Sequence, residues 1–394
     1  MNHKKKILFV IDSLGIGGGE KSLVTLLNLI DYSKYEVDLQ LFAYGGKLQQ
    51  FLPKKVNLLP PLNITEFLSK PILKQLYSPK KFLARLKYSL HIRRKGLTHA
   101  DKAVLYWKYI GPHINPVPKH YDIGIAYAQG IPTFFVVDRV SAYKKFGWIN
   151  AKYAIKGKIR DFQHFYYKNL DSIVPVSNEV LKLFSEEIYP DLKNKMKIMW
   201  DIIDPAMIIN MSKIQAEKEL DHSQPILMTT GRLSNAKGYD IAMETSRILK
   251  NRGVKFKWYV VGDGYLRDEM EKYIHENDLK DYFILLGSTT NPYSYMLQSD
   301  VYVQPSRNEG FGLTIAEARI LNRPIVCTNF EGCEMQMKDG KNGIIASFEP
   351  EDIANKILML LNDKELYSKI QEFQRSEKIG NTEEINNFYK LISE

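Results

Sequence analysis

From Pro225 to Asn329 short apolar runs alternate with longer stretches at helical spacing, and this alternation constrains the fold more than any other feature of the chain. "PILMTTG", "KFKWYVVGDG", "YFILLG", "DVYVQPS" and "RPIVCTN" are bounded, β-rich runs of strand length. Between them lie "KGYDIAMETSRILKNRG", closed by a glycine C-cap, "YLRDEMEKYIHENDL", the short "PYSYMLQS" and "LTIAEARILN". Strands that each return through a helix must lie parallel, and a parallel sheet must be covered on both faces. The N-terminal half opens in the same way. Ile7–Ile11 is an apolar run, "SLGIGGGEKS" a glycine-rich loop, Leu23, Leu26, Leu27, Leu29 and Ile30 mark a helix, and "EVDLQLFAY" alternates as a strand. "YDIGIAYAQG", "FFVVDRV", "YKKFGWINA" and "DSIVPVS" read as further short strands or strand ends. The expected fold class is α/β, with two parallel-sheet domains facing each other across a cleft.

A length of 394 residues suits two domains, and 44% hydrophobic residues supply two cores. The expected division is a first domain over 1–205 and a second over 206–376, with the join near 200–222 and a polar helical tail at 377–394. The first domain carries an insertion at about 60–120 with helical, basic-amphipathic character and little strand signal. In open α/β sheets ligands bind beyond the carboxyl ends of the strands. The loops "GIGGGEKS", "GRLSNAKG", "GDG", "LGSTTN" and "RNEGFG" all fall there.

No apolar run reaches the roughly 18 residues of a membrane span. "MNHKKKILFVID" breaks at Asp12 and reads as a first strand rather than a signal peptide. Two cysteines, Cys327 and Cys333, without clustered histidines argue against a disulfide framework or zinc site and suit a reducing cytoplasm. The net charge is +10, and Lys70–Lys119 holds twelve Lys/Arg against one acid, Asp101. That window contributes +11 and the remainder −1, so the excess is a local patch aimed at an anionic partner, either nucleic acid or a membrane surface. Within "KQLYSPKKFLARLKYSLHIRRKG", Phe82, Leu83, Leu86 and Leu90 share a helical face, with Lys81, Arg85 and Arg93 at its edges or opposite. Lys80, Lys81, Arg85, Arg93 and Arg94 are the membrane-surface candidates. The alternative is a solvated basic helix packed on the first domain. No motif for base or groove recognition accompanies the patch, so no nucleic-acid partner is expected.

"GIGGGEKS" falls short of a P-loop because Glu20 stands where glycine precedes Lys-Ser, and its charge repels phosphate. It falls short of a dinucleotide fingerprint because "DLQLFAYGG" ends without an acid. It either offers N–H donors to an anion or sugar hydroxyl, or is a tight strand-to-helix turn. In "TTGRLSNAKG", Arg232 and Lys237 flank a loop before a helix. Cations there are unfavourable unless an anion is bound, so they are either a pyrophosphate clamp or solvated surface charges. In "RNEGFGLTIAE", Gly310 and Gly312 permit close backbone approach, and the helix start offers N–H groups. Glu309 and Glu317 are carboxylates suited to vicinal hydroxyls, or a loop charge and a helix-start charge.

Together, "GRLSNAKG", "VGDG", "LLGSTTN", "QPSRNEGFGLTIAEARILNRPIVCTN" and "KDGKNGII" resemble the retaining, nucleotide-sugar-dependent glycosyltransferases of family 4, with the GT-B fold. The resemblance covers roughly 225–347, and "GIGGGEKSLVTLL" and "VPVSNEVLKLF" more loosely. It implies that Arg232 and Lys237 hold the donor pyrophosphate and stabilise the leaving diphosphate. Glu317 would bind ribose hydroxyls. Glu309 would contact the donor sugar, helped by Gly310 and the backbone of Phe311, Gly312, Leu313 and Thr314, while Gly18 and Gly19 face the donor from the first domain. The tail helix would cross back onto the first domain. Asn150 stands in "GWIN" where many relatives have histidine, and is the acceptor-side candidate; Asp201 stands where relatives often have asparagine. No Asp-x-Asp metal signature is present, and neither cofactor nor metal is expected. The expectation is a metal-independent, retaining enzyme using a nucleotide-sugar, expected to be UDP-linked. Its acceptor would be a lipid-linked or cell-surface polysaccharide precursor, met at the cytoplasmic face of the membrane where the protein binds peripherally. The alternatives are an inert nucleotide-sugar-binding relative and an anion- or nucleic-acid-binding protein.

Overall fold

In the structure, a computed structural model, residues 4–150, 155, 157–309 and 311–393 are described. The chain forms two compact units. One comprises Met1–Asp201 together with Glu383–Glu394, the other Ile202–Thr382.

The first unit contains β1 (Lys5–Ile11), β2 (Tyr35–Leu41), β3 (Val56–Leu58), β4 (His120–Ala126), β5 (Ser141–Ile149) and β6 (Ser172–Pro175). They form one sheet in the order β3-β2-β1-β4-β5-β6, every neighbouring pair parallel. The second unit contains β7 (Ile226–Thr230), β8 (Lys257–Val261), β9 (Phe283–Gly287), β10 (Val301–Gln304), β11 (Ile325–Thr328) and β12 (Ile344–Ala346). Its order is β12-β11-β10-β7-β8-β9, again all parallel. Each sheet therefore starts at its centre, runs to one edge, then returns and runs to the other. This is the doubly wound order of a Rossmann domain, with the winding reversing between β1 and β4 and between β7 and β10.

The period of two in a strand divides the second core cleanly. Leu227, Trp258, Val260, Val301, Val303 and Val326 point into one hydrophobic cluster. Ile226, Met228, Tyr259, Val261, Tyr302 and Ile325 point into the other. Both faces are dry because helices cover both, and each fully buried aliphatic side chain contributes about 1.5–3 kcal/mol. The helix Tyr239–Asn251 lies on the first of these faces and ends as its sequence implies. Gly253 has φ +76°, and Val254 N–H bonds back to Leu249 at 3.1 Å.

"FFVVDRV" is not a strand but most of the helix Ile131–Arg139. Pro132 sits in its first turn, where a missing N–H is harmless, and Gly130 at φ +86° turns the chain into it. Pro132, Phe134, Phe135 and Val136 are all buried, so the helix has no polar stripe by which its period could be read. Between β3 and β4 lie the α-helices Asn63–Ser69, Ile72–Gln75, Pro79–Ile92 and His99–Tyr109, with no strand among them. The single acid of the basic stretch caps the last of these. Asp101 accepts from Thr98 N–H at 2.8 Å while its own N–H bonds the Thr98 hydroxyl at 3.1 Å.

Glu384–Ser393 forms a final helix of the first unit, whereas residues 377–382 belong to the second. Tyr389 stacks on Tyr35 at 5.5 Å between ring centroids, its hydroxyl accepts from Asp31 N–H at 2.7 Å, and Phe388 stacks on Phe9. No described helix is long and apolar enough to cross a membrane. Cys327 and Cys333 are buried free thiols.

Candidate active site

Where the winding of the second sheet reverses, β7 and β10 lie side by side and their following loops leave in opposite directions. The loop after β7 carries Arg232 and Lys237, and the loop after β10 carries Glu309. The two loops are held in contact by a glycine. Gly238 has φ +64°, and a β-carbon there would stand 1.9 Å from the carbonyl oxygen of Pro305. Only glycine fits both the left-handed backbone and the close approach. Arg307 and Asn308 N–H groups bond the Ala236 carbonyl at 2.8 and 3.2 Å, and the Arg307 guanidinium grips Asp240 through two 2.6 Å bonds.

Joined in this way, the loops place Lys237 Nζ 2.7 and 2.8 Å from the two carboxylate oxygens of Glu309. Gln304 Nε2 and Ser306 Oγ each donate to Glu309 Oε1 at 2.6 Å. The Glu309 side chain is only 10% exposed, so it is neither a solvated loop charge nor free to swing. Behind it, Gln304 Oε1 accepts from Tyr302 OH at 2.8 Å and from Thr314 Oγ1 at 3.1 Å. The chain of donors thus runs from the sheet through Gln304 to the loop, and ties the first turn of the next helix to it. Burial, with Tyr302 and Glu309 nearby, drives the Tyr239 phenol well above its ordinary range. That phenol donates to the Gly231 carbonyl at 2.9 Å and acts as a neutral strut.

Gly312, with φ +73°, turns the chain into the helix Leu313–Ile320. Leu313 and Thr314 open this helix, and the first N–H groups of a helix have no intrahelical acceptor. Phe311 packs on the apolar cluster beneath, and Gly310 lies outside the described residues. Glu317 is 4% exposed and accepts from Tyr293 OH at 2.9 Å. Arg232 is exposed on its loop. The structure thus joins Lys237 and Glu309 directly and places Thr314 one residue, Gln304, away. Glu317 sits apart, under the first turns of the helix. Gln304, Ser306 and Tyr293 were missed in the sequence. Gln304 and Ser306 alternate toward the same side in "VQPSRNE", but nothing local marks Tyr293, whose contact spans 24 residues.

The corresponding place in the first sheet, between β1 and β4, is built differently. The glycine loop leads into the helix Gly18–Leu29. The Glu20 side chain folds over it, so that a β-carbon on Gly17 would lie 2.1 Å from Glu20 Oε2. A carboxylate occupies the space that a P-loop keeps for phosphate. Gly18 is exposed, and Gly19 lies against Asn150, whose Nδ2 would be 2.8 Å from a β-carbon there. Asn150 follows β5 and donates to the Tyr127 carbonyl at 2.7 Å. Tyr127 OH is 2.9 Å from Ser22 Oγ, and Ser22 also hydrogen-bonds Asp201. Burial pushes the Asp201 carboxyl up to about 6.

The two doubly wound sheets define the class: two Rossmann-like domains of the GT-B kind. Residues 210–377, within the second unit, match the family described as Glycosyl transferases group 1. Over 224 residues, 56% of this chain and 58% of the relative, the sequence is 29% identical to an uncharacterized glycosyltransferase of Methanocaldococcus jannaschii. Over 350 residues, 88% of this chain and 87% of the relative, it is 26% identical to the N-acetylgalactosamine-N,N'-diacetylbacillosaminyl-diphospho-undecaprenol 4-alpha-N-acetylgalactosaminyltransferase of Campylobacter jejuni. The chain spans 58%, 39%, 34% and 41% of the length of the first four curated relatives it matches. The crystal structure of Anabaena Alr3699/HepE in complex with UDP and glucose superposes with a TM-score of 0.70 over 99% of both chains, at 17% identity.

Proposed function

We propose that the protein is a retaining, metal-independent glycosyltransferase of family 4 that moves a sugar from a UDP-sugar to a lipid-linked or cell-surface polysaccharide precursor. It needs no cofactor, and works at the cytoplasmic face of a membrane to which it binds peripherally. The observation that carries this reading is the Lys237–Glu309 pair at the winding reversal of the second sheet, beside the opening turn of the helix Leu313–Ile320. A nucleoside diphosphate leaving group develops negative charge as the glycosidic bond breaks. Cations and helix N–H groups fixed in advance stabilise that charge without reorganising. Lys237 is fixed by Glu309, and Arg232 extends from the same loop to the diphosphate. Arg232 and Lys237 supply the positive charge that a divalent metal ion would otherwise supply.

Glu309 Oε1 is filled by three donors, while Oε2 receives only Lys237 among the described contacts and turns toward the donor sugar. Gly310, Phe311, Gly312, Leu313 and Thr314 supply backbone around sugar and phosphate, and Glu317 binds the ribose. In the first unit, Gly18 and Gly19 are the donor-side candidates and Asn150 the acceptor-side candidate. The UDP-sugar and the lipid-linked acceptor are supported by what the Anabaena structure contains and by the acceptor in the Campylobacter enzyme's name.

Calorimetry with UDP and with intact UDP-sugars tests the assignment. Glu317→Gln weakens UDP itself, whereas Glu309→Gln leaves UDP affinity within about threefold and damages use of the full donor. Equal losses of UDP affinity in both variants, or the opposite order, refute the division of labour.

A further inference from the structure

The insertion contains a short helix that is built inside out. In Ile72–Gln75 and the two residues after it, the polar Gln75 is fully buried while Ile72, Leu73, Leu76 and Tyr77 face solvent, Leu73 being 82% exposed. Gln75 is the fastening. Its Nε2 donates to the Lys70 carbonyl at 2.6 Å, and the Ser78 N–H bonds the Gln75 carbonyl at 3.1 Å. Tyr77 meets the buried Phe67 ring edge-on at 6.0 Å, with the Lys70 ammonium 5.3 Å from the Tyr77 ring. Ordering a turn so that its amide is inside and its leucines are outside gains nothing in water. Such an apolar face normally marks a surface that another apolar phase covers.

The neighbouring helix Pro79–Ile92 repeats the arrangement on a stripe of Leu83, Leu86 and Leu90, each about half exposed and three or four residues apart. The expected four-residue face is thereby corrected. Phe82 is half-buried against the unit's core and does not belong to the exposed stripe. Arg85 is half-buried as well, with one guanidinium nitrogen enclosed in protein. Of the fifteen large apolar side chains left exposed among the described residues, seven fall between 72 and 90. From residue 67 to residue 100 the chain has no acid, and Lys70, Lys74, Lys80, Lys87, Arg93 and Arg94 are exposed around these leucines.

We propose that residues 72–77 are a membrane-insertion wedge: Ile72, Leu73, Leu76 and Tyr77 enter the acyl boundary of an anionic bilayer while the surrounding lysines and arginines meet its headgroups. The proposal rests on the peripheral-membrane reading above and assigns its anchoring to a segment other than the basic helix from which that reading came. Charge decides the occupant. Exposed leucines set in an unbroken positive field suit anionic lipid, where each basic residue and each buried apolar group adds to binding. A second copy of this chain would bring the same positive field against itself.

Cosedimentation of the full chain with vesicles of phosphatidylcholine and phosphatidylglycerol, at low and raised salt, tests this. The Leu73→Gln/Leu76→Gln variant keeps every charge and changes only solvent-facing atoms, so its melting temperature stays that of the wild type. Its vesicle affinity is expected to fall at least about tenfold, with the salt dependence retained. The Lys80→Gln/Lys81→Gln/Arg93→Gln/Arg94→Gln variant loses salt dependence instead. If the wild type binds anionic vesicles and the leucine variant binds equally well, the wedge is overturned while the membrane reading stands. If the wild type ignores anionic vesicles at low salt, both fall. If the wild type is a dimer that the leucine variant dissolves, with vesicle binding unchanged, the face is an interface between copies and the wedge is wrong.

Discussion

The two sheets share one strand order, yet the places where their winding reverses hold opposite chemistry. In the second unit the loops after β7 and β10 bring an ammonium and a carboxylate together, with a helix start beside them. In the first unit the loop after β1 folds its own carboxylate, Glu20, across its glycines, and the loop region after β5 presents the neutral amide of Asn150. Topology decides where a crevice forms, and the side chains at its mouth decide which ligand it accepts. A loop that already holds a carboxylate where phosphate would rest disfavours a second phosphate site. The proposed diphosphate site therefore lies in the second unit, and the proposed acceptor contact in the first.

The strongest way to break this contrast is to remove the ammonium. Lys237→Ala should lower kcat by about 10²-fold or more, the scale of losing one preorganised charge stabiliser, with the circular dichroism unchanged. Near-normal turnover would mean that the second unit's pair is scaffolding, and the two winding reversals would differ less than their residues imply.

The next effect belongs to the first unit and is one of stability. Asp201 is buried, and its carboxyl is raised from 3.8 to about 6. A carboxyl raised on folding favours the fold when protonated. Its penalty is absent below about pH 4, grows as pH rises through 6, and is then constant at about 3 kcal/mol. Asp201→Asn keeps a partner for Ser22 and removes the titration. Melting temperatures of variant and wild type should therefore converge near pH 4 and separate, with the variant higher, by pH 8. A constant gap across that range would show that Asp201 does not titrate within a buried first-unit network.

The smallest effect sharpens the comparison from within the second unit. Arg307 and Asp240 make a better-formed ion pair than Lys237 and Glu309, but their side chains are 41% and 63% exposed. Arg307→Ala should cost less than about 1 kcal/mol of stability and leave turnover within about threefold. A loss like that of Lys237→Ala would extend the reacting site beyond the enclosed pair.

The parallel sheets were legible because short apolar runs and amphipathic helices alternate, and the helical character of the insertion was legible from its lack of strand signal. Residues 131–139 were not, because the apolar run Phe134–Val137 has no polar residue within it and looks like a strand. Among site residues, the type and loop position of Lys237 and Glu309 could be read locally. That one grips the other could not, since the contact depends on β7 and β10 lying side by side and on Gly238 letting Pro305 come close. Tyr293 against Glu317 was hidden for the same reason.

The helix Glu384–Ser393 belongs to the first unit although the whole second unit precedes it in the chain. During synthesis the emerging first sheet must therefore wait, with Phe9 and Tyr35 uncovered, until the ribosome has made everything up to Phe388 and Tyr389. The unit translated first is finished last, and a nascent chain stalled within the second unit would present that apolar surface to chaperones.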